Sequence, residues 1–253
     1  MEEKYLIGKT KFCYSVVSND VKSFLNEVNY AIKNKYKIIE LRLEGLIFEG
    51  LSIDLIINIV NTAINLDRDI VYIANINTIE NGDKLILNPE KYYSFIKKLY
   101  FETSVNIIEL NYLFYSRDKD IYDNFILDTK REKEFILSCF LSNNNIDYQS
   151  FFDMFNIVSY EKFEIVKVLF DTKNKNSLFN FMSICRKFSK IAIKNKIGCI
   201  FIGLNKIGIL SKIYNEYANT KIVYINDKFG ENYYTISSEK YAKFRKKIHF
   251  LFK

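Results

Sequence analysis

A (β/α)8 barrel is the fold class that the sequence predicts, on three observations. Short β-branched and aromatic runs alternate with segments of helical apolar spacing. The strand runs are apolar on both faces, as parallel strands covered by helices must be. Eight such units in 253 residues also match the size of this barrel, roughly 250 residues. An open, doubly wound sheet is the competing arrangement, but no G-x-G-x-x-G or P-loop follows any strand. With 8 Gly and 1 Pro there is little material for a linker, so residues 1–253 are expected to form a single barrel domain.

The elements follow in order. Residues 11–17 form the first strand, and Val21, Phe24, Leu25, Val28 and Ile32 mark one face of a helix over 21–35. Residues 37–43 repeat the strand signal. Ser52 then caps a helix carrying Ile53, Ile56, Ile57, Val60, Ala63 and Ile64. Residues 69–74 are the third strand, and Pro89, suited to a first helical turn, opens a helix to about Tyr100. Residues 105–110 are the fourth strand. The polar segment 118–133 reads as a poorly periodic helix before the fifth strand at 134–141, and 148–156 is a short helix. Strands at 163–170, 197–203 and 221–225 alternate with helices at 177–189, 209–219 and 238–252, giving eight strands and eight helices.

The formal charge of +7 comes from scattered lysines in a chain rich in Lys, Asn, Ile, Tyr and Phe. No aromatic-basic stacking motif accompanies it, so no nucleic-acid partner is expected. Lys243, Arg245, Lys246 and Lys247 are the densest basic stretch and read as a solvated face of the last helix. No run reaches the roughly 18 apolar residues of a membrane helix. Cys13, Cys139, Cys185 and Cys199 lie far apart with no CxxC pair, and no apolar leader precedes the first strand. A reduced, cytoplasmic protein is expected, with no metal or cofactor implied and the oligomeric state, a homodimer included, left open.

In such a barrel, chemistry belongs at the carboxyl ends of the strands. Glu40 and Arg42 alternate onto one face of the second strand and would point into the barrel mouth, offsetting each other's burial. A structural ion pair at the rim is the alternative. Lys167 sits inside the apolar run Ile165-Val166-Lys167-Val168-Leu169. Desolvation there favours the neutral amine, which attacks carbonyls to form Schiff bases; otherwise its head snorkels to water. The single histidine, His249, falls in the last helix, where it reads as a surface or packing residue.

These residues resemble a known family, the type I 3-dehydroquinate dehydratases, which work through a Schiff base. The family's Glu-Trp-Arg-x-Asp is similar to Glu40-Leu41-Arg42-Leu43-Glu44, and its Asp-Ile-Val-Lys-Ile-Ala to Glu164-Ile165-Val166-Lys167-Val168-Leu169. Its Met-Gly-x-x-Gly-x-x-Ser-Arg resembles the segment from Leu204 to Lys212, its Glu-Gly-Gly resembles Glu80-Asn81-Gly82, and its Ile-Glu-Leu matches Ile108-Glu109-Leu110. The matches fall in order along the whole chain. The resemblance implies that Lys167 forms an imine with 3-dehydroquinate, while Glu40, Arg42, Lys212 and Glu80 hold this small carboxylate substrate.

The departures are also specific. The family's acid/base histidine, in Ser-Tyr-His-Asp, is matched by Phe140 of Ser138-Cys139-Phe140-Leu141. Aligning Ser159-Tyr160 instead leaves no room for a helix before the sixth strand. The family's arginine after strand 3 falls at Ile76, its carboxylate-gripping arginine at Lys212, and its Ser-Ala-Pro-Gly-Gln lid at Glu231-Asn232-Tyr233-Tyr234-Thr235, so that Glu231 and Thr235 replace the ring-contacting Ser and Gln. Glu80, Glu44 or Glu231 would have to substitute for the lost proton shuttle. Three readings follow: a lyase with a degenerate site and weak or altered activity, a catalytically inactive barrel that binds or scaffolds, or another Schiff-base or anion-binding activity.

Overall fold

All eight apolar runs form strands in the computed structural model, which describes residues 10–78, 83–129, 132–141, 148–160, 163–228 and 234–251. They are β1 (Lys11–Val16), β2 (Ile38–Arg42), β3 (Val71–Asn75), β4 (Ile107–Asn111), β5 (Glu134–Leu141), β6 (Ile165–Phe170), β7 (Gly198–Gly203) and β8 (Ile222–Ile225). They belong to one sheet in the order β7-β6-β5-β4-β3-β2-β1-β8. From β1 to β7 each strand neighbours the next in sequence, and β8 lies beside β1, without the order reversal of a doubly wound sheet. The pairs β1–β2, β2–β3, β3–β4, β4–β5 and β6–β7 are parallel, as βα repetition requires. The fold is the (β/α)8 barrel.

The chain divides into two compact units, one of them Tyr14–Cys139. Its helices are α1 (Val21–Lys33), α2 (Glu44–Phe48), α3 (Ile53–Leu66), α4 (Pro89–Glu102), α5 (Tyr112–Arg117) and α6 (Lys119–Thr129). Ser52 caps α3 as expected, accepting from the N–H of Leu55, and Asn88 caps α4 with Pro89 in the first turn. Glu27 of α1 is fully buried and accepts from the N–H groups of Ser18 (2.9 Å) and Val17 (3.3 Å) and from the Ser18 hydroxyl. The carboxylate thus ties α1 to the loop that leaves β1.

The second unit holds β6, β7 and β8 with α7 (Tyr148–Tyr160), α8 (Lys175–Lys194), α9 (Asn205–Ile213) and α10 (Ser238–Leu251). A capping box of Asn174 and Ser177 starts α8. Phe170 stacks on Phe181 at 5.0 Å, and Phe151 meets Phe188 edge-on at 5.6 Å, so aromatic rings fill the space between β6 and its helices. Lys221 bonds strands on both sides: its N–H donates to Cys199 O (2.8 Å), and its carbonyl accepts from Lys11 (2.9 Å).

Ten helices are present among the described residues, against the eight expected. The additional ones, α2 and α5, have 5 and 6 residues, too few turns to show a period. The helix expected at 209–219 is α9, which starts at Asn205 and ends at Ile213, with turns following. Among the described residues no helix is long and apolar enough to cross a membrane. All four cysteines are buried, and burial pushes the Cys139 and Cys199 thiols up to about 12, where they stay protonated.

Candidate active site

In the unit Tyr14–Cys139, strand alternation brings buried polar groups to the ends of neighbouring strands. Ser15 lies opposite Glu40 in the β1–β2 register, and its hydroxyl donates to Glu40 Oε2 at 2.6 Å. Asn75 Nδ2 donates to Glu40 Oε1 at 3.1 Å. Glu40 itself is fully buried, so two donors from adjacent strands satisfy a carboxylate that water does not reach.

Arg42 is held differently. Its Nε donates to Glu44 Oε1 (2.5 Å), and its Nη2 pairs with Glu44 and with Asp83 Oδ2 (2.9 Å). With its amide turned to satisfy both partners, Asn77 also accepts from Arg42 Nε and Nη2 at 3.2 Å, while its backbone N–H donates to Glu44 Oε2 (3.3 Å). Burial pushes the Glu44 carboxyl above the usual range; Arg42 opposes that rise and Asp83 adds to it. The sequence set Glu40 and Arg42 against each other as mutual compensation. The structure supplies partners that it did not anticipate: Ser15 and Asn75 for Glu40, Glu44 and Asp83 for Arg42. Asp83 was missed entirely, being three residues beyond Glu80, which lies outside the described residues together with Asn81 and Gly82. Ile76 is buried at 1% exposure. Further along, Asn111 Nδ2 donates to Thr78 Oγ1 (3.2 Å) and Ser138 Oγ donates to Leu110 O (3.2 Å).

In the second unit, Lys167 has 0% exposure in a strand whose six residues are all buried. Its head therefore does not snorkel to water, the bland expectation for a strand lysine. Nζ lies 4.7 Å from the ring centroids of both Tyr224 and Tyr234. Tyr224 comes from β8. Tyr234 is held next to it because the following residues run parallel to that strand: Ile236 N–H donates to Tyr224 O and Asn226 N–H donates to Ile236 O, each at 3.2 Å. Neither tyrosine was among the expected site residues, although Tyr234 lies in the segment matched to the family's lid; both are remote from Lys167 in sequence. Thr235 is buried at 1%, and Glu231 lies outside the described residues.

Lys212, buried at 5%, points its Nζ back to Gly203 O at 3.4 Å. It does so because α9 packs on the end of β7 through glycine. Ser211 Oγ accepts from Gly203 N–H (2.8 Å) and donates to Gly208 O (2.7 Å), and a Cβ on Gly208 would lie 2.3 Å from the Gly203 carbonyl. Asn205 has φ 65°, a left-handed conformation that asparagine tolerates, and its amide reaches the Asp171 carboxylate.

Phe140 is half-buried in β5. Tyr160 ends α7 with 82% exposure, so the discarded Ser159-Tyr160 alignment falls at a helix end. His249 lies in α10, whose Lys243, Lys246 and Lys247 are exposed and whose Arg245 pairs with Glu216 at 2.7 Å. Among the described residues no group of three or more His, Cys, Asp or Glu could hold a metal ion.

Over residues 12–232 the sequence matches the profile of a family described as type I 3-dehydroquinase. The chain belongs to the type I 3-dehydroquinase family. Solved structures agree on the fold. A 3-dehydroquinate dehydratase from Geobacillus kaustophilus is 11% identical, with TM-score 0.80 over 96% of this chain and 92% of that one. A type I 3-dehydroquinate dehydratase from Clostridium difficile, solved with covalently modified comenic acid, is 16% identical, with TM-score 0.81 over 96% and 94%. One from Enterococcus faecalis is 10% identical, with TM-score 0.81 over 96% of both chains. No curated protein sequence matches this one. As a type I 3-dehydroquinase family member, the chain falls among carbon-oxygen lyases that act on a small molecule.

Proposed function

We propose that the chain acts as a Schiff-base lyase on 3-dehydroquinate or a close analogue, with Lys167 as nucleophile and with a site altered enough to weaken turnover. The observation that carries this reading is a fully buried lysine on β6 in a chain of this family. The neutral amine adds to the C3 ketone; the carbinolamine loses water to a protonated imine, which withdraws electrons from C2. A base removes the C2 proton, the C1 hydroxyl leaves as water, and hydrolysis of the imine frees product and lysine. The covalent ligand of the Clostridium difficile structure supports covalent chemistry on this fold. Glu40 and Arg42 are suited to the substrate's hydroxyl groups, and Lys212 to its carboxylate as a point charge without the two-pronged grip of arginine.

Phe140 replaces the family's acid/base group in this reading, and loss of such a group slows the proton steps by about 10²- to 10⁴-fold. The same observation, with apolar Ile76 at a binding position, favours a second reading in which the barrel binds ligand without turnover. Incubation with 3-dehydroquinate and borohydride separates them. An adduct located by mass on Lys167 with measurable dehydration supports the lyase, an adduct without dehydration supports the silent site, and no adduct refutes both uses of Lys167. Phe140→His is expected to raise turnover at least tenfold if the remaining machinery is intact.

A further inference from the structure

We infer that Tyr224 and Tyr234 form an aromatic clamp that holds the positive charge of the Lys167 imine. Nζ is 4.7 Å from each ring centroid, and the centroids are themselves 4.7 Å apart with planes tilted by 39°. The amine thus sits at the apex of an equilateral triangle, over both rings. Both rings are buried at 1% exposure, where a cation–π contact is strongest because water does not compete.

The clamp rests on the Schiff-base reading and deepens it. Attack on a ketone consumes the neutral amine, and expulsion of water from the carbinolamine then creates a cation at the same nitrogen: amine, ketone and one proton become protonated imine and water. A buried iminium is costly where water does not reach it. The two ring faces offset part of that cost. Without them the iminium is less stable relative to the neutral amine, and the adduct fraction falls. The backbone explains how the second ring is held in place: the residues after Tyr234 pair with β8, which carries Tyr224.

The test uses the full chain, 3-dehydroquinate below saturation, borohydride trapping and mass detection of the Lys167 adduct. Tyr224→Leu and Tyr234→Leu are each expected to lower trapping by about 2- to 30-fold, the equivalent of one cation–π contact. Tyr224→Phe and Tyr234→Phe, which retain the faces, are expected to restore it to within about twofold of the parent. A second measurement does not depend on substrate: in protein labelled with ¹³C-lysine, the Lys167 ε-methylene resonance, assigned by its loss in Lys167→Met, is expected upfield of the other lysines and to move back in each Leu variant. An upfield resonance with trapping unchanged in folded Leu variants overturns the clamp, as does a resonance in the ordinary lysine range. An upfield resonance with no adduct in the parent protein overturns the Schiff-base reading, and the clamp's role with it.

Discussion

Gly208→Ala tests the packing that places Lys212. The new Cβ would lie 2.3 Å from both the carbon and the oxygen of Gly203 and 2.8 Å from Thr172 Oγ1. The first of these is short of carbon–carbon contact by roughly 1 Å. Two of the three obstacles are backbone atoms of β7, so a rotamer change cannot relieve them, and α9 must move away from the strand. Overpacking of this kind costs about 1–3 kcal/mol. Moving α9 also withdraws Ser211 Oγ from the buried Gly203 N–H, and an unsatisfied donor adds about 1–3 kcal/mol. Alanine returns about 1 kcal/mol of helix propensity, too little to change the sign. The net expectation is about 3 kcal/mol, or a fall in melting temperature of about 6–12 °C for a chain of this size, followed by circular dichroism. Lys212 should lose its contact with Gly203 O at the same time. A melting temperature within 2 °C of the parent, or above it, would refute the reasoning.

Three other outcomes are expected. Glu44 has its carboxyl raised above the ordinary 4.5 by burial, so the native state retains a proton that the unfolded chain releases, and Glu44 weakens the fold as pH rises through 4.5 toward its folded value. The stability of Glu44→Gln relative to the parent should therefore increase over that interval in urea titrations; a difference constant with pH would count against it. Lys133, half-buried, is lowered to about 8, chiefly by burial. At pH 8 about half of it is neutral, an excess on the order of 100-fold over ordinary lysines, and limited acetylation followed by peptide mapping should label it early. Ser15→Ala removes a 2.6 Å hydrogen bond to the buried Glu40 and should cost about 1.5–3 kcal/mol in chemical denaturation, as for bonds to charged groups.

Much of the fold was legible because its signals are local. The strands are short apolar runs, Ser52 and Pro89 announce α3 and α4 by side-chain chemistry, and the strand order follows from the repeat itself. The ends of α9 were not. Apolar spacing at Ile209, Leu210 and Ile213 pulled the reading toward the carboxyl side, whereas the helix begins where Asn205 adopts its positive φ. The inward placement of Glu40, Arg42 and Lys167 was legible because strand alternation governs it. The site was hidden where a loop brings in a partner: Asp83 reaches Arg42 across 41 positions, and the two tyrosines around Lys167 come from the eighth strand and the segment paired to it.

The embrace of Arg42 by Glu44 and Asp83 has a kinetic consequence. A guanidinium flanked by two carboxylates projects little positive field into solvent, so it does not draw an anion from a distance. In the proposed binding role it would act at contact, through N–H groups already aligned. Loss of Arg42 should consequently shorten the residence time of a bound molecule while leaving its rate of arrival, and the sensitivity of that rate to added salt, nearly as they were.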